Sequence, residues 1–314
     1  MTSAPPPFDG AAALAHCGLI RARGEDAAAF LHGQLTSDFS RLDTAQARLA
    51  GYCSAKGRLL ASFIGWKQAP DDLLLLCSKD LLAPTLKRLS MFVLRAKCKL
   101  TDTETEFQLL GLAGASAAQW LGAEAPAEAW GKATHGGATI VRLPDAGEQP
   151  RFLWVAPHDV ARPPLPPLSL ADWQWGEVQS AVARIEAATV DKFVPQMLNF
   201  ELIGGVDFKK GCYPGQEVVA RSQYRGTTKR RTFVFTSAHA ADAGQDIFHS
   251  GDPAQPAGMV VNAAPCPVPG AGWSLLAEVK LAALESGTLH LGAPDGPGLA
   301  SVPMPYEVFQ GPAD

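Results

Sequence analysis

The stretch Gly204 to Arg221, GGVDFKKGCYPGQEVVAR, is the most specific string in the chain. Gly204 and Gly205 open a turn, and Lys209 and Lys210 then precede Gly211 and Cys212. Pro214 suits the first turn of a helix, which Gln216, Glu217 and the apolar run Val218, Val219, Ala220 continue. Cys212 is thus expected just ahead of a helix N-terminus and beside two ammonium groups, where dipole and charge both favour a thiolate. Such a thiol can act as a nucleophile or a redox-sensitive group. A buried structural cysteine is the alternative, and it is the better description of Cys17, Cys53, Cys77, Cys98 and Cys266.

Working outward, four further strings stand in a fixed order around this one. They are FLHGQLTSD (Phe30 to Asp38), CSAKGR (Cys53 to Arg58), FVPQMLNFELIGG (Phe193 to Gly205) and YRGTTKRR (Tyr224 to Arg231). With KGCYPGQE from Lys210 to Glu217, they resemble the YgfZ-type folate-binding proteins, relatives of the glycine-cleavage T-protein. The resemblance covers nearly the whole chain and is weakest at the C-terminal end. It implies an α+β fold, a T-protein-like three-domain ring with a C-terminal β-barrel, and tetrahydrofolate or a derivative in the central hole. It further implies Cys212 as the chemical group, with Lys210, Tyr213, Gln216, Glu217 and Arg221 on the cofactor side. Family members share a tryptophan near the pterin, and spacing from the FVPQ string puts it at Trp173, where an aromatic face can stack on the ring. Trp175, two residues on, points elsewhere on a helix and reads as core.

The resemblance also separates functions. In T-proteins the strand after the corresponding turn carries an aspartate pair, and here Ala61 and Ser62 occupy those positions, so no carboxylate is available there for acid–base work. The family implies instead a folate-binding accessory protein that supports assembly or repair of iron–sulfur enzymes, including enzymes that modify tRNA. Two other functions remain open at this level: a folate-dependent aminomethyl transferase, and a module that contacts RNA through residues 209–231. This chain departs from many relatives at Gln179, Ser180 and Ala181, where an acidic residue precedes a small pair, and at Cys17, where some carry an aromatic.

Bulk properties bound the answer independently. A chain of 314 residues with 47% hydrophobic content can bury a sizeable core in two or three units. Its longest apolar run, Leu73 to Cys77, is strand-length, far short of the roughly eighteen residues of a membrane span. The N-terminus has neither a signal peptide nor a transit pattern, so a cytoplasmic protein is expected. Six cysteines without a CxxC pair give no tetrahedral metal set, so any iron–sulfur role concerns client enzymes. The net charge is −4, yet residues 209–231 hold seven cations against Glu217 alone, a local +6 over a remainder of −10. Such a patch suits an anionic ligand or RNA, or is simply a solvated edge.

Periodicity predicts helices over Glu25 to Phe39, Leu81 to Leu94, Ala115 to Leu121 and Leu170 to Ile185. Strands are expected at Cys17 to Ala22, in a strand–turn–strand over Gly51 to Trp66 with its turn at Ala55 to Gly57, and at Leu73 to Cys77. The Pro-rich RPPLPPLS from Arg162 to Ser169 is a stiff connector. Beyond Gly226, short apolar runs separated by Gly and Pro predict a small barrel or sandwich. The expected units are 1–161, 162–230 with the KGCYPGQE string, and 231–314.

Overall fold

The computed structural model describes residues 8–224 and 228–308. Arg225 to Thr227, part of the YRGTTKRR string and of the basic segment, lie outside the described residues. The chain opens with strands β1 (Gly10–Ala13) and β2 (Cys17–Arg23), helix α1 (Ala27–Gln34), and strands β3 (Ala47–Cys53), β4 (Leu59–Ala69) and β5 (Asp72–Ser78). Helix α2 (Lys79–Ser90), strands β6 (Lys99–Asp102) and β7 (Phe107–Ala113), and helix α3 (Gly114–Leu121) follow. Next come β8 (Lys132–His135), β9 (Ala138–Ala146), β10 (Gln149–Pro157), α4 (Leu170–Gln179) and α5 (Gln216–Tyr224). The chain ends in β11 (Arg230–Ser237), β12 (Asp246–His249), β13 (Asp252–Pro265), β14 (Trp273–Lys280), β15 (Leu289–Leu291) and β16 (Ala300–Val302).

Three antiparallel sheets result, ordered β1-β7-β10-β9-β8, β3-β4-β5-β2-β6 and β15-β12-β13-β14-β11-β16. Side chains alternate across a strand, so one strand can feed two cores. All seven residues of β5 are buried. Leu73, Leu75 and Cys77 pack with α1 and α2 through Leu31 and Leu82, whereas Leu74 and Leu76 pack with Val141, Leu153, Val155 and Trp173. In β10, Leu153 and Val155 join that second core, while Phe152 and Trp154 pack with Leu121 of α3. The first two sheets thus share a common inner layer, and helices cover their outer faces. Trp173 of α4 enters that layer against Gly111, whose missing Cβ leaves the room: a methyl there would lie 2.5 Å from the indole.

Three helices end before periodicity predicts, α2 at Ser90 where Leu94 is expected. α1 ends at Gln34 because Leu35 is extended and the next residues turn to β3. Thr36 N donates to Gly51 O at 2.9 Å, and the Ser37 hydroxyl donates to Leu49 O at 2.6 Å. α4 stops at Gln179, and Ala181 takes a left-handed φ of 53° that no continuing helix allows. The Tyr306 hydroxyl donates to the Ala181 carbonyl at 2.8 Å, which ties this break to the C-terminal segment.

The third sheet is pinned to residues 193–205. Asn199 Nδ2 donates to Thr232 O at 2.8 Å, the Thr232 hydroxyl donates to Met197 O at 2.7 Å, and buried Arg231 pairs with buried Glu201. Burial pushes the Glu201 carboxyl up, and the Arg231 charge opposes that shift. Replacing Arg231 by Met leaves a carboxylate buried without its cation, and should cost about 3 kcal/mol in urea unfolding. The double change with Glu201→Leu should recover most of that loss, and equal losses in both variants would refute the pairing argument.

Candidate functional site

The inner layer contains a small cavity of about 60 Å³ that opens toward solvent on one side. Its walls include Ser62, Trp130, Arg151, Trp173, Glu177 and Arg184. Glu177 stands one turn after Trp173 on α4, so both reach the same face of the helix. The indole Nε1 donates to Glu177 Oε1 at 3.2 Å, and Arg184 Nη2 and His16 Nε2 lie 3.3 and 3.2 Å from Oε2. Burial opposes ionisation of Glu177, but Arg184, then His16 and Arg151, outweigh it and hold the carboxyl well below the usual range. It is therefore a fixed acceptor and a poor proton donor. His16 is likewise held charged: burial works against the imidazolium, Glu177 and Cys17 outweigh it, and its pKa rises to about 10.

Arg151 is the group this network leaves incomplete. Its guanidinium lies 4.9 Å from the Trp173 ring centroid, and burial lowers its pKa to about 10. Arg151 Nε and Nη1 are buried without a partner, as are Arg184 Nε and His16 Nδ1. Unpaired buried donors are costly, so their concentration at one cavity marks a place for an acceptor. Trp173 itself is 1% exposed, with Phe8 stacked at 6.4 Å, Gly111 against the ring and Arg151 over it. It nevertheless forms part of the cavity wall. The half-buried aromatic on the wall is Trp130, held at a left-handed φ of 68°. Trp130 N donates to Arg142 O at 2.8 Å, and Ala47 N donates to Trp130 O at 2.7 Å. A bulky residue in that region is strained by roughly 1–3 kcal/mol, and such strain concentrates at functional sites.

His16, Cys17 and Glu177 also bring ligand-type atoms within 4.8 Å of one another. The Cys17 sulfur lies 3.6 Å from His16 Nε2. Arg151 and Arg184 stand beside this cluster and oppose a cation there, while Glu177 is already committed to three donors. The cavity suits an electron-rich guest. At the T-protein aspartate positions, buried Ala61 offers nothing polar, and the Ser62 hydroxyl accepts from Ile185 N at 2.9 Å.

The KGCYPGQE residues form a second locus, and none of Lys210, Cys212, Tyr213, Gln216, Glu217 or Arg221 lines the cavity. Gly215 seats this loop on the turn at Ser54 to Gly57, because an added Cβ would lie 2.3 Å from Ser54 O. Lys210 Nζ donates to His32 O at 2.6 Å and Gly211 O at 3.0 Å, and lies 4.6 Å from the Tyr213 ring centroid. Burial lowers its pKa to about 8, against the pull of Asp38, Asp207 and Cys212. Tyr213 is buried and its phenol is pushed up by desolvation, whereas Gln216 is half-buried and Glu217, Arg221 and Cys212 are exposed. No ion pair joins Glu217 to Arg221 among the described residues. The basic patch is thinner than its sequence total, since Arg230 is bound by Glu278, Arg231 by Glu201 and Lys210 by carbonyls.

His16, Trp130, Arg151, Glu177 and Arg184 were not singled out from sequence. Only Glu177 carried a readable signal, the i to i+4 spacing from Trp173. The others meet by long-range packing: His16 and Glu177 are separated by 161 residues.

No family model matches the chain. It is 33% identical over 238 residues to tRNA-modifying protein YgfZ of Edwardsiella ictaluri, covering 68% of this chain and 67% of that one. The protein of the same name from Vibrio vulnificus is 31% identical over 238 residues, covering 73% and 71%. Among solved structures, the glycine cleavage system aminomethyltransferase T of Bartonella henselae superposes with a TM-score of 0.73 over 95% of this chain and 86% of that one, at 17% identity. That likeness shows the T-protein fold.

Two outcomes follow from the site geometry. Limiting alkylation at neutral pH should label Cys212 first, because it is the exposed thiol. Burial also raises Cys98 to about 11 and Cys53 to about 12. Peptide mapping that ranks Cys212 among the slow thiols would contradict the exposed loop. The His16–Glu177 pair should stabilise the fold fully below about pH 6.5, the unfolded value, and lose that contribution as pH rises through about 10. The stability gap between wild type and His16→Gln in urea should therefore shrink across that window, and a pH-independent gap would refute the charged pair.

Proposed function

The chain belongs to the YgfZ family, and from that premise we propose that it is a folate-binding accessory protein for iron–sulfur enzymes, including those that modify tRNA. The observation that carries the folate assignment is Arg151, a fully buried guanidinium with two unpaired N–H groups on the wall of the central cavity. A pterin is flat, carries a ring carbonyl and ring nitrogens as acceptors, and has an amino group. Arg151 and Arg184 would donate to its acceptors, Glu177 would accept from its amino edge, and Trp130 would offer the aromatic surface. Bound reduced folate would supply a carrier for one-carbon units.

The relatives are named for tRNA modification, and this supports clients of that kind. An ordinary aminomethyl transferase is disfavoured by Ala61 and Ser62, and by a cavity carboxylate held too firmly ionised to act as an acid. Cys212, exposed on its own loop, is the group proposed to act on clients, with Lys210, Tyr213, Gln216, Glu217 and Arg221 shaping that loop.

Titration of tetrahydrofolate followed by tryptophan fluorescence should saturate. Arg151→Met should weaken binding about tenfold or more, while Trp130→Phe should remove most of the signal. Absence of saturable binding by the wild type would overturn the folate reading. In a deletion strain, wild type and Arg151→Met should differ in support of iron–sulfur enzyme activities, and Cys212→Ala should fail to restore them. Full complementation by Cys212→Ala would remove the thiol from the function.

A further inference from the structure

The connection between α2 and β6 projects a short apolar tip into solvent. Met91, Phe92 and Leu94 are 59%, 42% and 87% exposed, the most exposed run of large apolar side chains among the described residues. This is a fixed shape. Phe92 N and Val93 N continue the helix turn through bonds of 3.0 and 3.3 Å to Leu89 O and Ser90 O. Half-buried Val93 and Cys98 pack on the core beneath, and Lys97 N donates to Asp26 Oδ2 at 2.7 Å. Leu94 itself holds a left-handed φ of 39°, a conformation disfavoured for a branched side chain. Backbone strain is thus maintained at the residue that sends its side chain furthest into water.

The segment that carries the tip is itself charged with one sign. From residue 81 to residue 101 the chain carries Lys87, Arg88, Arg95, Lys97 and Lys99 and no carboxylate. Lys97 is paired with Glu25 at 2.5 Å, and Arg88 lies close to the Tyr52 phenol. Lys87, Arg95 and Lys99 have no ion-pair partner among the described residues and are exposed. β6 is the edge of its sheet, and its register sets Lys99 opposite Arg23. A groove lined by Arg21, Arg23, Lys99, Thr101 and Glu106 begins there, in which Asp72 and Glu106 neutralise Arg21 and part of Arg23.

We propose that this tip and its flanking cations form a docking site for single-stranded RNA, with Phe92 stacking on an unpaired base and Lys87, Arg95 and Lys99 on the phosphates. Three side chains are far too few for a protein interface, which needs about 800 Å² on each partner. A nucleic acid takes its affinity from phosphate neutralisation and needs only one or two stacking contacts beside it. A bilayer would also accept an apolar tip with cations beside it, so vesicles are included as a competing probe. The inference is independent of the folate reading and of residues 209–231, of whose cations Lys210, Arg230 and Arg231 are used internally.

The test uses the full-length protein and three probes: a fluorescent oligouridylate, an unmodified tRNA transcript, and vesicles of phosphatidylcholine with phosphatidylserine. Both RNAs should bind, with a log–log salt slope of about −2 for three phosphate contacts on a single strand. Phe92→Ala should weaken RNA binding about tenfold. Lys87→Glu with Arg95→Glu and Lys99→Glu should abolish the salt dependence and most of the binding. A charge-matched control, Lys67→Glu with Lys229→Glu and Lys280→Glu, should bind within about twofold of the triple variant's parent, the wild type. Lys229 is exposed and Lys67 and Lys280 are half-buried, and melting curves confirm that each variant folds. The proposal is overturned if wild type binds neither RNA at about 50 mM salt. It is overturned equally if Phe92→Ala and the basic triple variant lose vesicle binding while RNA binding is unchanged, which would make the tip a membrane contact.

Discussion

Glu177 is a single carboxylate facing His16, Arg151 and Arg184 inside a layer otherwise built from leucine, valine and tryptophan. His16 precedes β2, Arg151 belongs to β10, Arg184 follows the break after α4, and Glu177 lies within α4, so one half-buried anion ties together both of the first two sheets. Burying so many charges is expensive, and Glu177, His16 and Arg184 offset that cost by pairing with one another. Ser78, Glu186 and the Trp173 indole complete the set on the protein side. What they leave over is a surplus of donors, and that surplus gives the cavity its character as a receptor for an acceptor-rich guest.

The rest of the inner layer is arranged around this network. Gly111 makes space for Trp173, whose ring supports Arg151. The left-handed Ala181 ends α4 in time for residues 182–185 to return along the cavity wall, where Ser62 receives the Ile185 amide. Trp130 is held in strained backbone by bonds to two different strands. Strain at Ala181 and Trp130 persists because the surrounding sheets over-determine both positions, as expected of a preorganised site. Separately, the KGCYPGQE loop is locked onto the turn at Ser54 to Gly57, so the thiol and the cavity are held by the same sheet but are not in contact. On the proposed function, the exposed thiol would meet a macromolecular client while the cavity would hold the small ligand.

Much of the fold was legible in the chain. The continuous apolar run Leu73 to Cys77, the turn at Ala55 to Gly57 and the start of α4 after the Pro-rich connector each follow from local chemistry. The helix ends at Gln34 and Gln179 were not, because apolar spacing continues past both points. There tertiary hydrogen bonds from Thr36, Ser37 and Tyr306 override propensity. The charge reading shows the same limit: Arg230 and Arg231 count as a basic patch in sequence, yet Glu278 and Glu201 consume them in space.

By itself the sequence determined the family, the α+β class and the residues of the thiol loop, because those depend on short strings and on periodicity within single elements. Tertiary structure alone decided that Trp173 is buried beneath Arg151, that Arg151 has unpaired nitrogens, and that Met91, Phe92 and Leu94 stand out from the surface. Each of these depends on what neighbours a side chain across tens or hundreds of residues. Burial, desolvation and hydrogen-bond satisfaction are properties of that assembled environment, and no local pattern encodes them.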